Sequence, residues 1–213
     1  MATKSDLTLQ LDNYHSQALI EDSANALPAF NWEPVDALYK TYLAQQYKIK
    51  DRWRGIHSSV AEYVPNDSTV LDLGCGDKEI LNSISPSSYY GIDLYEGADR
   101  QYDLDGELLT DLGSYDIGLM VESLNFITDP GRLLNHYKQF ATTWIITTRP
   151  MHPKSPSIKE SRANARHYWL RESFIDFLYE HFDSVTVSDD IYPAGLVTYG
   201  TGYPKPFIIA QCS

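Results

Sequence analysis

The sequence is poor in cysteine, in positive charge and in long apolar runs. Only two of its 213 residues are cysteines, Cys75 and Cys212, which is too few for a disulfide framework and fits a reducing cytosol. Asp and Glu outnumber Lys and Arg by 29 to 17, giving a formal net charge of −12. So negative a chain repels nucleic acids and anionic membranes. No apolar run approaches the ~20 residues of a membrane-spanning helix, so we expect a cytoplasmic protein without a membrane partner.

Two phosphate-binding motifs are also absent. No Gly-x-x-x-x-Gly-Lys-Ser/Thr loop occurs, which excludes the ordinary nucleotide hydrolases. The dinucleotide fingerprint Gly-x-Gly-x-x-Gly begins at Gly74 and Gly76, but its last glycine is replaced by Glu79. Asp77 and Glu79 would repel a pyrophosphate at this helix start. The sequence therefore disfavours NAD, and nothing in it points to a metal site.

The sequence does contain the pattern of a nucleoside pocket. An apolar run ends in Asp72 and the turn Gly74-Cys75-Gly76, and a second apolar run ends in Asp93. The separation of about 20 residues is that of one strand–helix–strand unit. Glycines let the backbone approach a ligand closely, and a carboxylate can accept hydrogen bonds from both hydroxyls of a ribose.

Strand and helix patterns alternate along the chain, which predicts an α/β fold with a Rossmann-like, mostly parallel, seven-stranded sheet and helices on both faces. The predicted strands are 69–73, 89–93, one near 100–104, 115–121, 143–148, 184–188 and 206–211. The predicted helices are 35–47, 53–63, a short one from 78, 130–140 and 171–182. We expect 1–65 to form a helical extension or lid and 66–213 to form the ligand-binding domain. Few residues separate Asp93 from the third strand, so the second crossover helix should be missing or reduced.

With these elements placed, the chain resembles the class I S-adenosylmethionine-dependent methyltransferases. The turn at 72–76 with Asp93 resembles the first family motif, and 115–119 (YDIGL) resembles the "FD-apolar" fourth strand. The segment 121–130 (VESLNFITDP) is similar to SEVLEHVPDP, and 167–173 (HYWLRES) to the stretch before the last helix. The match leaves 1–65 unexplained. Two positions depart from the family pattern. The third glycine of the first motif is replaced by Lys78, and the family's common Leu-Glu-His triplet is replaced by Leu-Asn-Phe at 124–126.

The resemblance implies S-adenosylmethionine as cofactor, S-adenosylhomocysteine as product and an antiparallel last strand. The residues that it places around the cofactor are Asp72, Gly74, Gly76, Asp93, Leu94, Asp103, Leu104 and Glu122. Asp72 would lie near the ammonium group, Asp93 would bind the ribose, and Asp103 or its competitor Asp105 would face the adenine amino group. Lys78 would either pair with the cofactor's carboxylate or be a solvated surface lysine.

Candidates for the methyl acceptor side lie beyond the strand ends. Glu122 and His152 are the candidate catalytic residues, because a carboxylate could orient an amine or take a proton and histidine titrates in a useful range. The candidate substrate-binding residues are Asn125, Arg149, Arg162, Arg166, Tyr192 and Tyr199. The two later arginines share one face if that stretch is helical and could hold an anionic acceptor. The tyrosines could stack on a ring or enclose a cation. The blander interpretations are a solvated face for the arginines, a surface loop histidine for His152 and a supporting structural role for Glu122. Half-buried loop packing explains the tyrosines equally well.

Three functions remain open at this point. The leading hypothesis is methyl transfer to oxygen or nitrogen of a small molecule. An RNA or protein methyltransferase is the first alternative, although the lysine that such RNA 2′-O enzymes use is replaced by Glu122 and Arg149, and no Asn-Pro-Pro-Tyr motif occurs. A catalytically silent cofactor-binding or interaction module is the second. The oligomeric state is open.

Overall fold

The structure is a computed structural model, and it describes residues 51–148, 167, 169–188 and 208–213. The predicted helix at 35–47 lies outside the described residues. The helices are α1 (Asp51–Ala61), α2 (Pro130–Tyr137) and α3 (Arg171–Tyr179). The strands are β1 (Thr69–Leu73), β2 (Ser88–Asp93), β3 (Arg100–Gln101), β4 (Tyr115–Val121), β5 (Ala141–Thr148), β6 (Val185–Val187) and β7 (Ile208–Cys212). Single 3-10 turns cover Glu79–Asn82, Leu124–Phe126 and Lys138–Phe140.

The sheet has seven strands in the order β3-β2-β1-β4-β5-β7-β6. The neighbours from β3 to β5 pair in parallel, whereas β7 runs antiparallel to β5 and β6. The predicted mostly parallel sheet with an antiparallel last strand is confirmed. The chain leaves β1 toward β2 on one side and later returns to β4 on the other. Ligands of open α/β sheets bind beyond the carboxyl ends of strands at such a reversal of strand order.

Helices cover both faces of the sheet, as predicted. The alternation of side chains along the strands divides the core into two clusters. On one face, α1 packs through Ile56 and Val60 against Val70, Ile117, Leu119, Ile145 and Ile209. On the other face, α2 and α3 contribute Leu133, Leu134, Tyr137, Phe174 and Leu178, which pack with Leu71, Leu73, Met120, Trp144 and Ile146. Helix α1 lies within the residues predicted as an extension, and it packs directly on the sheet.

Helix α2 shows how the local sequence determines an element that shapes the site. Pro130 occupies the first turn, where its missing N–H is not needed. The Asp129 side chain accepts a hydrogen bond from the Arg132 N–H at 2.9 Å and caps the helix. The buried side chains of Leu133, Leu134 and Tyr137 recur at helical spacing. Helix α2 is therefore fixed by the cap at its start and by its buried face.

The predicted helix after the Gly74–Gly76 turn is reduced to the 3-10 turn Glu79–Asn82. Lys78, just before it, has φ 61° and ψ 28°, in the left-handed region. Pro86 follows soon after and disfavours helical backbone in the residue before it. The predicted lack of a helix between β2 and β3 is confirmed, since 94–99 contain none. Two consecutive crossovers therefore lack an α-helix.

The third strand is shorter than predicted. It covers Arg100–Gln101 rather than 100–104. Asp103 ends the extended backbone because its Oδ1 accepts the N–H of Asp105 at 3.1 Å and its carbonyl accepts the N–H of Gly106 at 2.9 Å. Such a side-chain turn competes with strand pairing. Asp103 and Leu104 therefore lie on a loop beyond the sheet edge.

Every helix in the described part of the chain is short. The longest, α1, has 11 residues. Within these described ranges, no helix has both the length and the apolar character needed to cross a bilayer.

The packing of β4 on β5 generates a first prediction. A Cβ at Gly118 would overlap the ring of buried Trp144, so Gly118→Ala should lower the free energy of unfolding by about 1–3 kcal/mol through overpacking. Urea denaturation measures the loss. Gly113→Ala is the matched control, because nothing lies within 4 Å of a Cβ there. Equal stability of the two variants would contradict the assigned β4–β5 contact.

Candidate functional site

The turn that follows β1 brings backbone close to the end of β4. Gly74 and Gly76 have φ of 87° and 54°, which favours glycine at both positions. A Cβ on Gly74 would overlap the side chain of Ser123. The Ser123 hydroxyl donates a hydrogen bond to the Leu73 carbonyl at 2.8 Å. The ends of β1 and β4 are thus joined directly, and Gly74 is required both by its backbone angle and by this contact.

Asp93, at the end of β2, is held by two backbone amides. Its Oδ2 accepts the N–H of Gly76 at 2.9 Å, and its Oδ1 accepts the N–H of Tyr95 at 2.9 Å. Burial raises the pKa of this carboxyl, while the N–H groups of Gly76, Tyr95 and Leu94 act in the opposite direction. Each carboxylate oxygen has a further lone pair. The group is therefore a pre-oriented acceptor for two hydroxyl donors.

Asp72, the last polar residue before the turn, is almost completely buried. Its Oδ2 accepts the hydroxyl of Tyr89 at 2.7 Å, whereas its Oδ1 has no partner among the described residues. Burial raises its pKa to about 7, the Tyr89 hydrogen bond lowers it, and the charge of Asp93 raises it. A buried carboxylate with one unpaired oxygen is costly in isolation. It would be stabilised by a bound cation.

The surroundings of the turn are acidic. Burial and the neighbouring charge of Glu79 raise the pKa of Asp77. On α1, burial lowers the pKa of His57 to about 4, and the charge of Glu79 opposes that shift. Across the stretches that the structure describes, no group of three or more histidine, cysteine or acidic side chains is placed to hold a metal ion. This charge distribution suits a cationic ligand and opposes a pyrophosphate.

The loop beyond β3 separates the two aspartates that competed for the adenine assignment. Asp105 accepts the N–H of Thr128 at 2.7 Å and thereby ties this loop to the segment before α2. Asp103 makes its side-chain bond to Asp105 within its own loop and is half-buried. Leu104 is buried in the core and lines a cleft of about 220 Å³. Leu94 is half-buried, and its carbonyl accepts the Gln101 side chain at 2.8 Å.

Glu122 follows β4 in an uncommon backbone conformation. Its φ is 59° although it is not a glycine, and it is only 1% exposed. Its N–H donates to the Thr147 hydroxyl at 3.0 Å, which ties it to β5. Residues held in the left-handed region cluster at functional sites, where the surrounding structure maintains the strain. The position supports Glu122 as a candidate residue, while its role stays a prediction.

Asn125 has its side-chain amide occupied by other parts of the protein. Its Oδ1 accepts the Thr148 hydroxyl at 2.9 Å, and its Nδ2 donates to the His167 carbonyl at 2.9 Å. The His167 N–H donates to the Asn125 carbonyl at 3.1 Å. Asn125 was predicted to bind substrate. These contacts favour a role in holding the end of β5 and His167 together, next to Glu122.

Five candidates from the sequence lie outside the described residues together with His152. They are Arg149, Arg162, Arg166, Tyr192 and Tyr199. Their proposed contacts with a substrate stay predictions.

Some residues of the site gave no recognisable signal in the sequence. Tyr89 and Ser123 contribute single hydroxyls, and neither stood out as a site residue, although Ser123 lies within the segment 121–130. Asp99, between β2 and β3, pairs with Lys78 at 2.8 Å. The departure of Lys78 from the glycine pattern was visible in the sequence, but its partner was not.

Comparison with solved structures identifies the fold. The first of three examples is 1,6-didemethyltoxoflavin-N1-methyltransferase from Burkholderia thailandensis, solved with S-adenosylhomocysteine, at 12% identity and TM-score 0.60, covering 85% of this chain and 89% of that one. An S-adenosylmethionine-dependent methyltransferase from Mesorhizobium loti matches at 15% identity and TM-score 0.53, covering 73% and 96%. The small RNA methyltransferase HEN1 matches at 16% identity and TM-score 0.52. The match covers 79% of this chain but 27% of that one.

No family model and no curated protein matches the sequence. At these low identities, the structural matches show that the chain has the class I methyltransferase fold, as the resemblance implied.

The contacts of Asn125 lead to a second prediction. Asn125→Ala leaves the Thr148 hydroxyl and the His167 carbonyl without this partner, so the free energy of unfolding should fall by about 2 kcal/mol. Urea denaturation measures the change. Asn82→Ala, at an exposed residue with one local hydrogen bond, should change stability by less than about 0.5 kcal/mol. If Asn125→Ala matched that control, the tie would not be stabilising.

The raised pKa of Asp72 leads to a third prediction. The folded pKa of about 7 exceeds the ordinary value of 3.8, so the folded state retains a proton that the unfolded state loses. Its stabilising contribution is full below pH ~4 and is lost as pH rises through 7. Asp72→Asn should remove this dependence. Urea unfolding between pH 5 and pH 8 should show the wild-type stability declining relative to the variant by roughly 1.4 kcal/mol per pH unit at most. If the free energies of unfolding of the two proteins changed with pH in parallel, the raised pKa of Asp72 would be refuted.

Proposed function

We propose that this protein is a methyltransferase that uses S-adenosylmethionine and transfers the methyl group to oxygen or nitrogen of a small molecule. The observation that carries the proposal is the carboxylate of Asp93, fixed by the N–H groups of Gly76 and Tyr95 where strand order reverses. The class I fold makes this ligand class the first to consider.

The residues around the turn fit the parts of this cofactor. Asp93 would accept the ribose hydroxyls. The unpaired Oδ1 of Asp72 would accept the ammonium group, and Gly74 and Gly76 would leave space for the methionine chain. Leu94 and Leu104 would line the adenine, with Asp103 as the acceptor for its amino group, because Asp105 ties the loop to Thr128 whereas the side-chain bond of Asp103 lies within the loop. When bound, the cofactor supplies an electrophilic methyl group on a sulfonium.

On the acceptor side, Glu122 is the described residue best placed to act. It is buried beyond β4, beside Ser123, whose side chain contacts the turn. A carboxylate there could orient an amine or take a proton from an acceptor that must lose one. Much of the acceleration in methyl transfer comes from holding the two reacting atoms in line. Asn125 would contribute indirectly by tying the end of β5 to His167.

The charge of the chain favours a small acceptor over RNA. With a net charge of −12, long-range repulsion lowers the rate and affinity of binding to a polyanion. Solved structures with this fold include a small-molecule enzyme and an RNA enzyme, so the fold alone does not choose between them. A soluble, cytoplasmic enzyme acting on a small molecule is the proposal that agrees with the composition.

The ribose assignment gives the fourth prediction. Asp93→Asn and Asp93→Ala remove a charged acceptor of two hydroxyls, each hydrogen bond to a charged group being worth about 1.5–3 kcal/mol. Calorimetric titration with S-adenosylhomocysteine should show at least about 100-fold weaker binding for Asp93→Ala. Asp116→Asn is the control. That carboxylate also accepts two hydrogen bonds, both from Thr69, but at the opposite end of the strands.

Unchanged affinity in Asp93→Ala would overturn the ribose assignment. Turnover is tested separately by measuring S-adenosylhomocysteine release against a panel of amines, phenols, carboxylates and RNA. Release with a small acceptor supports the proposal. Binding without release against the whole panel would instead favour a catalytically silent module, and release with RNA alone would contradict the small-molecule assignment.

A further inference from the structure

Lys78 and Asp99 form an ion pair that links the turn after β1 to the segment after β2. The Lys78 Nζ lies 2.8 Å from Asp99 Oδ1, and the two side chains are 26% and 32% exposed. The other oxygen, Asp99 Oδ2, accepts the N–H of Gly91 in β2 at 2.8 Å. Asp99 is therefore bonded to both the turn and the strand.

The backbone at Lys78 makes a lysine there unexpected. Its φ of 61° lies in the left-handed region, which side chains other than glycine adopt only at a cost. Glycine is what the family pattern has at this position. A non-glycine residue kept in a strained conformation needs a compensating contact. In this structure the side chain of Lys78 makes the ion pair with Asp99, while its N–H donates to the Cys75 carbonyl at 3.0 Å and its carbonyl accepts the Leu81 N–H at 3.1 Å.

The segment that Asp99 secures is held by hydrogen bonds rather than by the packing of a helix. Residues 94–99 connect two parallel strands without a helix, and β3 has two residues. The same segment supplies the Tyr95 N–H to Asp93, while the turn supplies the Gly76 N–H. The Asp93 carboxylate and the ion pair therefore span the same two parts of the chain.

We propose that the Lys78–Asp99 ion pair is a brace that positions Asp93 for the ribose and substitutes for the missing crossover helix. This inference rests on the proposed function. A fixed separation of turn and segment keeps the Asp93 carboxylate in its binding orientation before the ligand arrives, which lowers the ordering cost of binding. Lys78 and Asp99 are positioning residues that act through Asp93.

Two alternative roles for Lys78 lead to different outcomes. If Lys78 instead pairs with the cofactor's carboxylate, Asp99 competes for it, and removing Asp99 leaves affinity unchanged or improves it. If Lys78 is merely a tolerated replacement of glycine, Lys78→Gly leaves affinity unchanged or improves it by relieving the backbone strain. General electrostatics is separable too, because removing the lysine and removing the aspartate change net charge in opposite directions.

The experiment is a double-mutant cycle with Lys78→Met, Asp99→Asn and the double variant. Asparagine keeps an acceptor for Gly91, and methionine keeps an apolar stem. Calorimetric titration uses S-adenosylhomocysteine, which lacks the sulfonium charge. We expect each single variant to bind about two- to fivefold more weakly, and the double variant to bind no more weakly than the worse single variant. Raising the salt concentration should reduce the difference in affinity between wild type and Lys78→Met.

Conservative and control variants complete the test. Lys78→Arg keeps the charge and should keep most of the affinity, whereas Lys78→Gly should lose affinity while its stability to urea stays near that of wild type. Asp111→Asn breaks the exposed ion pair with Arg100 on the same sheet edge and should leave affinity unchanged. Additive effects of the two single changes, or unaltered binding by Asp99→Asn, would overturn the brace.

Failure of the proposed function would look different. If wild-type protein binds neither S-adenosylmethionine nor S-adenosylhomocysteine, the cofactor assignment falls. Urea unfolding of wild type, the two single variants and the double variant then measures the ion pair alone. The measured quantity is the non-additive part of the two changes in unfolding free energy. Absence of that coupling would overturn the brace as well.

Discussion

The candidate site depends on one carboxylate that bridges two backbone segments. Asp93 accepts hydrogen bonds from Gly76 on the turn after β1 and from Tyr95 on the segment after β2. The end of β4 also contacts this turn, through Ser123. The carboxyl ends of β1, β2 and β4 are therefore held together near the Asp93 carboxylate. The bonds require no ligand, so the acceptor is oriented before binding. These hydrogen bonds hold the site residues in place even though two neighbouring crossovers lack an α-helix.

Several features that are unfavourable for folding lie together at the site. Asp72 is buried with one oxygen that has no partner among the described residues, and Lys78 and Glu122 have left-handed backbone angles. Each feature is unfavourable for folding alone. The apolar core on both faces of the sheet offsets that cost, since its clusters are almost completely shielded from water. Strained and buried polar groups tend to cluster at functional sites, so their concentration at these strand ends supports placing the candidate site there.

Much of the fold could be predicted because periodic apolar patterns determine which segments enter the core. Strand β4 was predicted with the observed ends, Tyr115–Val121, since every second residue is apolar and a polar turn follows. The short crossover after Asp93 followed from chain length alone. The extent of β3 could not be predicted, because the turn formed by Asp103 competes with strand pairing. The roles of Asn125 and Lys78 depend on partners distant in sequence, His167 and Asp99, and a single sequence does not reveal such pairs.

In the proposed function, the carboxylate of Asp93 binds the ribose of an S-adenosyl cofactor beside the glycine turn. A crystal structure of the protein grown with S-adenosylhomocysteine would show whether the ribose lies there. We expect both ribose hydroxyls within hydrogen-bonding distance of the Asp93 carboxylate and the amino-acid chain of the ligand against Gly74 and Gly76. A ribose bound elsewhere, or a crevice filled by the protein's own side chains, would contradict this claim.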